Sequence, residues 1–229
     1  MRIRLRPALA LLVCTATVAP ASNAAEWKID PRVELRAGYN DNIRLDVDDE
    51  LSSPEYILNP GTLFSYETPT SGVSGDLDLA VRRYTDESDL DDENGRLRVA
   101  SFRRMERSEL GLKFDVVKDT TLDSQLEETG VVFDRVDRWR VSANPTWRYS
   151  LSERTSMRLG YTYTNVTYDN NSNSNFSDYT ANGGELTLSR ILSPRATGSI
   201  TAFYQQTDND NDIEATYSGL QAGTDYRFS

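Results

Sequence analysis

Histidine is missing from all 229 residues, and cysteine occurs once, at Cys14. The first absence removes the side chain whose pKa best suits proton transfer near neutrality, so histidine-dependent protease, hydrolase and acyltransferase chemistry is excluded. The second rules out a disulfide framework within the chain. Long apolar runs are lacking too. Beyond residue 25 nothing approaches the roughly 18 consecutive apolar residues of a membrane helix. Leu, Ile, Val and Phe are sparse while Thr, Ser, Tyr, Asn and Asp abound, which is thin material for a soluble core. Basic residues are the minority, 25 Lys and Arg against 36 Asp and Glu. That excess of acid argues against nucleic acid or an anionic lipid surface as partner.

What is present starts with a leader. Arg2, Arg4 and Arg6 precede an apolar run over 8–19, followed by small residues that include Ser22, Asn23, Ala24 and Ala25. A run this short does not span a bilayer, and the pattern predicts a secretory signal over 1–25. Val13 stands where a lipoprotein signal needs a small residue before Cys14, so lipidation is disfavoured. Three of the 25 basic residues and none of the acids lie in 1–25, leaving 22 against 36 over 26–229.

Period-2 alternation dominates that remainder. Val33, Leu35, Ala37 and Tyr39 alternate with Glu34, Arg36 and Gly38; Val73, Gly75, Leu77, Leu79 and Val81 with Ser74, Asp76, Asp78, Ala80 and Arg82. The same pattern marks Leu110 to Val116, Trp139 to Ala143, Met157 to Tyr163, Leu186 and Leu188, Ile200 to Tyr204, and Leu220 to Phe228. Successive strand side chains point to opposite faces, so every segment has one apolar and one polar face. Disorder does not produce such regularity.

Ten strands are predicted, at 31–41, 55–67, 73–84, 96–104, 108–117, 137–150, 155–168, 179–191, 196–206 and 216–228. The fourth is the least regular, because Phe102 breaks its alternation. Connections alternate between short turns and long loops at 42–54, 85–95, 118–136, 169–178 and 207–215. Short periplasmic turns and long external loops are the signature of an outer-membrane barrel. The expected fold is therefore all-β: an antiparallel up-and-down transmembrane β-barrel over 26–229 in the outer membrane of a Gram-negative bacterium. Outer-membrane lipid, lipopolysaccharide and the barrel assembly machinery would be its partners. Tyr39, Tyr56, Tyr84, Tyr163, Tyr168 and Tyr204 at the long-loop ends, and Tyr66, Trp147, Tyr149, Tyr226 and Phe228 at the other, predict two interfacial aromatic girdles. Pro60 and Pro145 lie inside strands, where a missing N–H predicts a bulge or local water.

Charge on the lipid side would cost about 2–4 kcal/mol at mid-membrane, so the alternating charged residues should face a lumen. These are Arg32, Glu34, Arg36, Asp76, Asp78, Arg82, Arg138, Arg140, Arg148 and Arg158, with Lys113, Asp115 and Glu185. They either line a water-filled path or pair across it as a plug; ten strands enclose a lumen that side chains nearly fill, whereas 16–18 leave a channel. Asp76 with Asp78 offers a carboxylate pair of the kind glycosidases use, yet solvated wall residues account for them better. Asp46, Asp48, Asp49 and Glu50 fall in one long loop, and Asp86, Glu87, Asp89, Asp91, Asp92 and Glu93 in the next. Asp208, Asp210 and Asp212 begin like a calcium loop, but Ile213 replaces its glycine and Gly219 its bidentate glutamate, so solvated loops are expected. No cofactor is implied, and no enzymatic activity is expected.

Two sequence echoes stand out. Asn59-Pro60-Gly61-Thr62-Leu63-Phe64-Ser65-Tyr66 parallels Asn144-Pro145-Thr146-Trp147-Arg148-Tyr149, and the turn Leu151-Ser152-Glu153-Arg154 parallels Leu192-Ser193-Pro194-Arg195. Together with Trp27 to Asn42 and Arg138 to Trp147, they resemble the outer-membrane β-barrel porins associated with exopolysaccharide export. The resemblance spans nearly the whole of 26–229 and rests on strand and turn style. It implies passage of polysaccharide or small solutes. Members of that family are typically longer. Gln221 to Phe228 resembles a final-strand assembly signal, but Ser229 follows it, which favours a shortened copy forming the N-terminal part of a larger barrel. A structural or adhesive barrel with acidic, ion-binding loops is the alternative, and a secreted β-sandwich a third.

Overall fold

The computed structural model describes residues 26–43, 51–121, 136–169, 176–211 and 213–228. The signal segment and the loop acids Asp46, Asp48, Asp49, Glu50 and Asp212 lie outside these residues. All ten strands are present: β1 (Trp27–Asn40), β2 (Ser53–Glu67), β3 (Ser71–Tyr84), β4 (Asp92–Arg104), β5 (Ser108–Thr120), β6 (Asp137–Ser152), β7 (Thr155–Tyr168), β8 (Tyr179–Ser193), β9 (Ala196–Asn209) and β10 (Glu214–Tyr226). They form one antiparallel sheet in strict sequence order. The strands run 13–16 residues, longer than the roughly 9–11 a β-strand needs to cross a bilayer. The main departures from expectation are at strand ends: β1 starts at Trp27, and β4 starts at Asp92 after a single 3-10 turn over Ser88–Leu90.

Register fixes the faces. Partners across an antiparallel pair share a face, and Asp30, Leu63, Asp76, Arg98, Asp115, Ser142, Thr164, Ala181, Thr207 and Ala215 form one continuous row from β1 to β10. Counting alternately from that row gives one polar face throughout. The opposite face carries Val33, Leu58, Leu79, Leu112, Trp139, Leu159, Leu186, Ile200 and Leu220, all solvent-exposed. Side chains of the polar face from β2 through β9 surround a single cavity, so the sheet curls with that face inside. The molecule is thus apolar outside and polar within. Most of the few buried side chains among the described residues lie at the long-loop end, Val117, Val166, Thr120, Thr121 and Val136 among them.

β1 and β10 pair with one neighbour each, so the sheet has two free edges and is not closed. Exposure on both faces of these strands follows from that.

Neither Pro60 nor Pro145 produces the bulge that was one of the two outcomes expected there. Pairing between β2 and β3 skips Asn59 and Pro60 and resumes in the same register; between β6 and β7 it skips Asn144 and Pro145 likewise. Each proline remains paired on its other side, Pro60 with Val33 and Pro145 with Leu112. A missing donor costs one local bridge, and the flanking ladder is long enough to hold alignment. Bulges lie instead at the echoed turns, between Ser150 and Ser152 and between Ile191 and Ser193. In both, the serine hydroxyl accepts the N–H two residues on, at Arg154 and Arg195, each 3.3 Å away. The sequence echo is therefore a repeated tight turn.

Candidate functional site

All ten charged residues assigned to a lumen by alternation lie on the concave face: Arg32, Glu34 and Arg36 on β1, Asp76, Asp78 and Arg82 on β3, Arg138, Arg140 and Arg148 on β6, and Arg158 on β7. Lys113, Asp115 and Glu185 join them. Across this face Arg and Lys are matched in number by Asp and Glu. The chain's net −11 therefore resides elsewhere, chiefly in the long connections.

Most of these charges pair along or across strands. Arg32 on β1 donates to Asp78 on β3, reaching over the intervening β2. Gly61 makes that possible: it sits between them in the row, and a Cβ there would lie 2.7 Å from Asp78 Oδ1 and 3.0 Å from Arg32 Nε. Arg36 holds Glu34 in a two-toothed contact at 2.8 and 3.0 Å. Arg98 grips Asp76 at 2.9 Å, and Arg138 meets Asp119 through two hydrogen bonds of 2.9 and 2.7 Å. Arg140 approaches Asp115 at 3.8 Å, and Arg158 reaches Glu185 at 3.5 Å over Gly160. Asp76, Arg98, Asp115 and Arg140 thus alternate in sign across four neighbouring strands. Such half-exposed pairs add about 0–1 kcal/mol each, so they order the wall more than they stabilise it.

The paired carboxylates bear on the glycosidase idea. Asp76 and Asp78 are each engaged by an arginine, Arg98 and Arg32. Both carboxylates are thus taken up as ion-pair partners within the wall. Among the described residues no group of three or more Asp, Glu, His or Cys is arranged to hold a metal ion. In the 207–215 connection Asn209 closes the turn, its Oδ1 accepting from Asn211 N at 3.1 Å and Ile213 N at 3.0 Å.

The wall is asymmetric. β1 to β6 carry nearly all of its charge. From β7 to β10 the concave face holds only Arg158, Glu185 and Asp225 among hydroxyls, amides, glycines and aromatic rings. The cavity, about 830 Å³, is lined by β2 to β9, with Lys113, Asn144 and Thr146 on β5 and β6 beside Thr162, Thr164, Gly183, Phe203 and Gln205 on β7 to β9.

Several wall residues escaped the sequence reading. Arg96, Arg98 and Arg104 lie on β4, whose alternation Phe102 obscured. Phe102 proves to face inward with them: its ring lies over Gly72, and the Arg104 guanidinium stacks on it 4.3 Å from the centroid. An aromatic on the polar face breaks the alternation without breaking the strand. Phe203 and Tyr217 likewise face inward, their rings 5.2 Å apart, with Phe203 lying over Gly219. The girdle expectation needs a matching correction. Tyr39, Tyr56, Tyr163, Tyr204, Tyr66, Trp147, Tyr149 and Tyr226 are on the outer face, but Tyr84 and Tyr168 point inward at the long-loop end. Tyr84 is nearly buried and Tyr168 stacks on Phe176 at 5.1 Å.

Neither protein-family models nor curated proteins show a match to this chain.

Proposed function

We propose that this chain works in the outer membrane of a Gram-negative bacterium as a porin-like β-barrel, serving passage of exopolysaccharide or small solutes, without catalysing a reaction. The observation that carries the reading is the inverted amphipathicity: ten strands expose Leu, Ile, Val, Trp and Tyr outward while charge and amide groups face in. In water that arrangement leaves a large exposed apolar surface; in lipid it is the stable one.

Closure belongs to the same reading. A free strand edge in hydrocarbon leaves N–H and C=O groups unsatisfied, at several kcal/mol each, so β1 and β10 must be paired when the protein is embedded. They run antiparallel to one another because an even number of strands separates up from down. Setting Trp27 beside Tyr226 at the short-turn rim keeps polar with polar. Lys28 then faces Asp225, Arg36 faces Tyr217, and Val33 meets Leu220 on the outside.

Heat-modifiable migration of the folded protein in detergent gels tests the barrel, and planar-bilayer conductance tests the pore. Identical migration before and after boiling would remove the membrane reading. The ion pairs on the wall favour a second possibility, a plugged barrel with a structural or adhesive role; folded protein that carries no current would select it.

A further inference from the structure

We infer that the neutral wall of the cavity, on β7 to β9, binds an uncharged saccharide segment, with the Phe203 ring as its stacking surface. This rests on the concave face being a water-filled lumen, and it names the class of molecule that lumen receives.

Three observations on this wall converge. The first is the distribution of charge. A polyanion would be drawn to unpaired cations, but on β7 to β9 Arg158 is matched by Glu185 and β9 presents no charged side chain to the cavity; the unpaired Lys113 lies on β5, away from this wall. The second is hydrogen-bonding capacity without internal use. Thr162, Gln205, Asn144 and Thr146 line the cavity, and among the described residues their side-chain polar atoms have no hydrogen-bond partner. Hydroxyls and amides of this kind donate and accept, which suits the paired donor and acceptor character of sugar hydroxyls. The third is the aromatic surface. Phe102 also borders the cavity, but the Arg104 guanidinium occupies its face. Phe203 carries no such cap. It is backed by Gly219, where any Cβ would come within 2.8 Å of the ring, and flanked by Tyr217. The glycine leaves the ring room against the wall, and Phe203 borders the cavity. The carbon-bound face of a pyranose is apolar and its rim polar, so one flat ring among amides and hydroxyls fits it. The cavity volume of about 830 Å³ lies within the roughly 300–1,000 Å³ usual for small-ligand sites.

The experiment uses the full chain, folded in detergent and reconstituted into planar bilayers. Maltohexaose serves as the neutral probe and hexagalacturonate as the anionic one. Block of the ionic current by each is measured, together with saturation-transfer NMR of each sugar in micelles. Phe203→Leu keeps the apolar bulk and removes the ring, while Phe203→Tyr restores it; Gln205→Leu removes an amide. The expected result is current blocked by maltohexaose, with half-block concentration raised roughly five- to tenfold in Phe203→Leu and returned to the parent value in Phe203→Tyr. Current without block by maltohexaose, block by hexagalacturonate alone, or equal block in Phe203→Leu would overturn the site and leave the pore intact. Absent current with maltohexaose signals that vanish in Phe203→Leu would keep the site and remove the pore. Absence of both current and sugar contact overturns the two together.

Discussion

Arg32 and Asp78 form an ion pair across a strand that separates them, and Gly61 is the reason they meet. Neighbouring rows on the same face show what happens without such a gap: Asp76 pairs with Arg98 on the adjacent strand instead. A side chain at position 61 would therefore compete with the pair for the same space. Gly61→Val is expected to lower stability by about 1–2 kcal/mol through overpacking, read as a reduced urea midpoint for unfolding from lipid vesicles. Gly184→Ala is the control, because a Cβ there meets nothing within 4 Å. Equal midpoints for Gly61→Val and the parent would refute the account.

Faces can be tested on adjacent residues of one strand. Leu186 is at the centre of β8 and points outward; Thr187 points inward and shares a hydroxyl contact of 2.9 Å with Thr201. Leu186→Arg should cost about 2–4 kcal/mol in a bilayer, while Thr187→Arg should cost under about 1 kcal/mol because its guanidinium reaches water. Similar losses for the two would mean that the faces are assigned wrongly.

Closure has a chemical test. With Trp27 beside Tyr226, Val33 and Leu220 face one another on the outer surface. The double variant Val33→Cys/Leu220→Cys, made with Cys14→Ala, should form an intramolecular disulfide on mild oxidation, because cross-strand partners have Cβ atoms within bonding reach. Leu35→Cys/Leu220→Cys, two residues out of register, should react far more slowly. A cross-linked dimer in place of the monomer would show that the edges are satisfied by a second copy.

Ion preference follows from the wall's unmatched charges. Arg96, Lys113 and Arg148 face inward without a carboxylate within 4 Å among the described residues, and Lys113 lines the cavity near mid-strand. Lys113 should therefore set the local ion preference at the cavity. Lys113→Glu should move the reversal potential in a potassium chloride gradient toward the cation value. No shift would place Lys113 outside the conduction path.

Much of this was readable in advance. Alternation identified ten strands and put Arg32, Asp76, Arg138 and the rest of that set on one face, because side-chain direction in a strand depends only on residue parity. Loop lengths gave the up-and-down order. The exceptions are informative. Phe102 obscured β4 because composition marks an aromatic as outward, whereas Gly72 opposite it left room inside. Tyr84 and Tyr168 were placed in a girdle by their position near a strand end, but parity and packing at the long-loop end turn them inward. Pro60 and Pro145 suggested bulges, yet a lost bridge on one side was absorbed by the pairing on the other.

Residue parity, which the sequence alone determines, put Arg32, Asp76, Arg138 and the rest of their set on one face and Val33, Leu79 and Leu186 on the other. Tertiary structure decided what those residues do there. Whether Arg32 pairs with Asp78 or stands free, why β7 to β9 bring a largely neutral wall to the cavity, and that β1 and β10 present open edges all depend on register and curl. These bring together residues far apart in the chain, and no local pattern encodes which of them will meet.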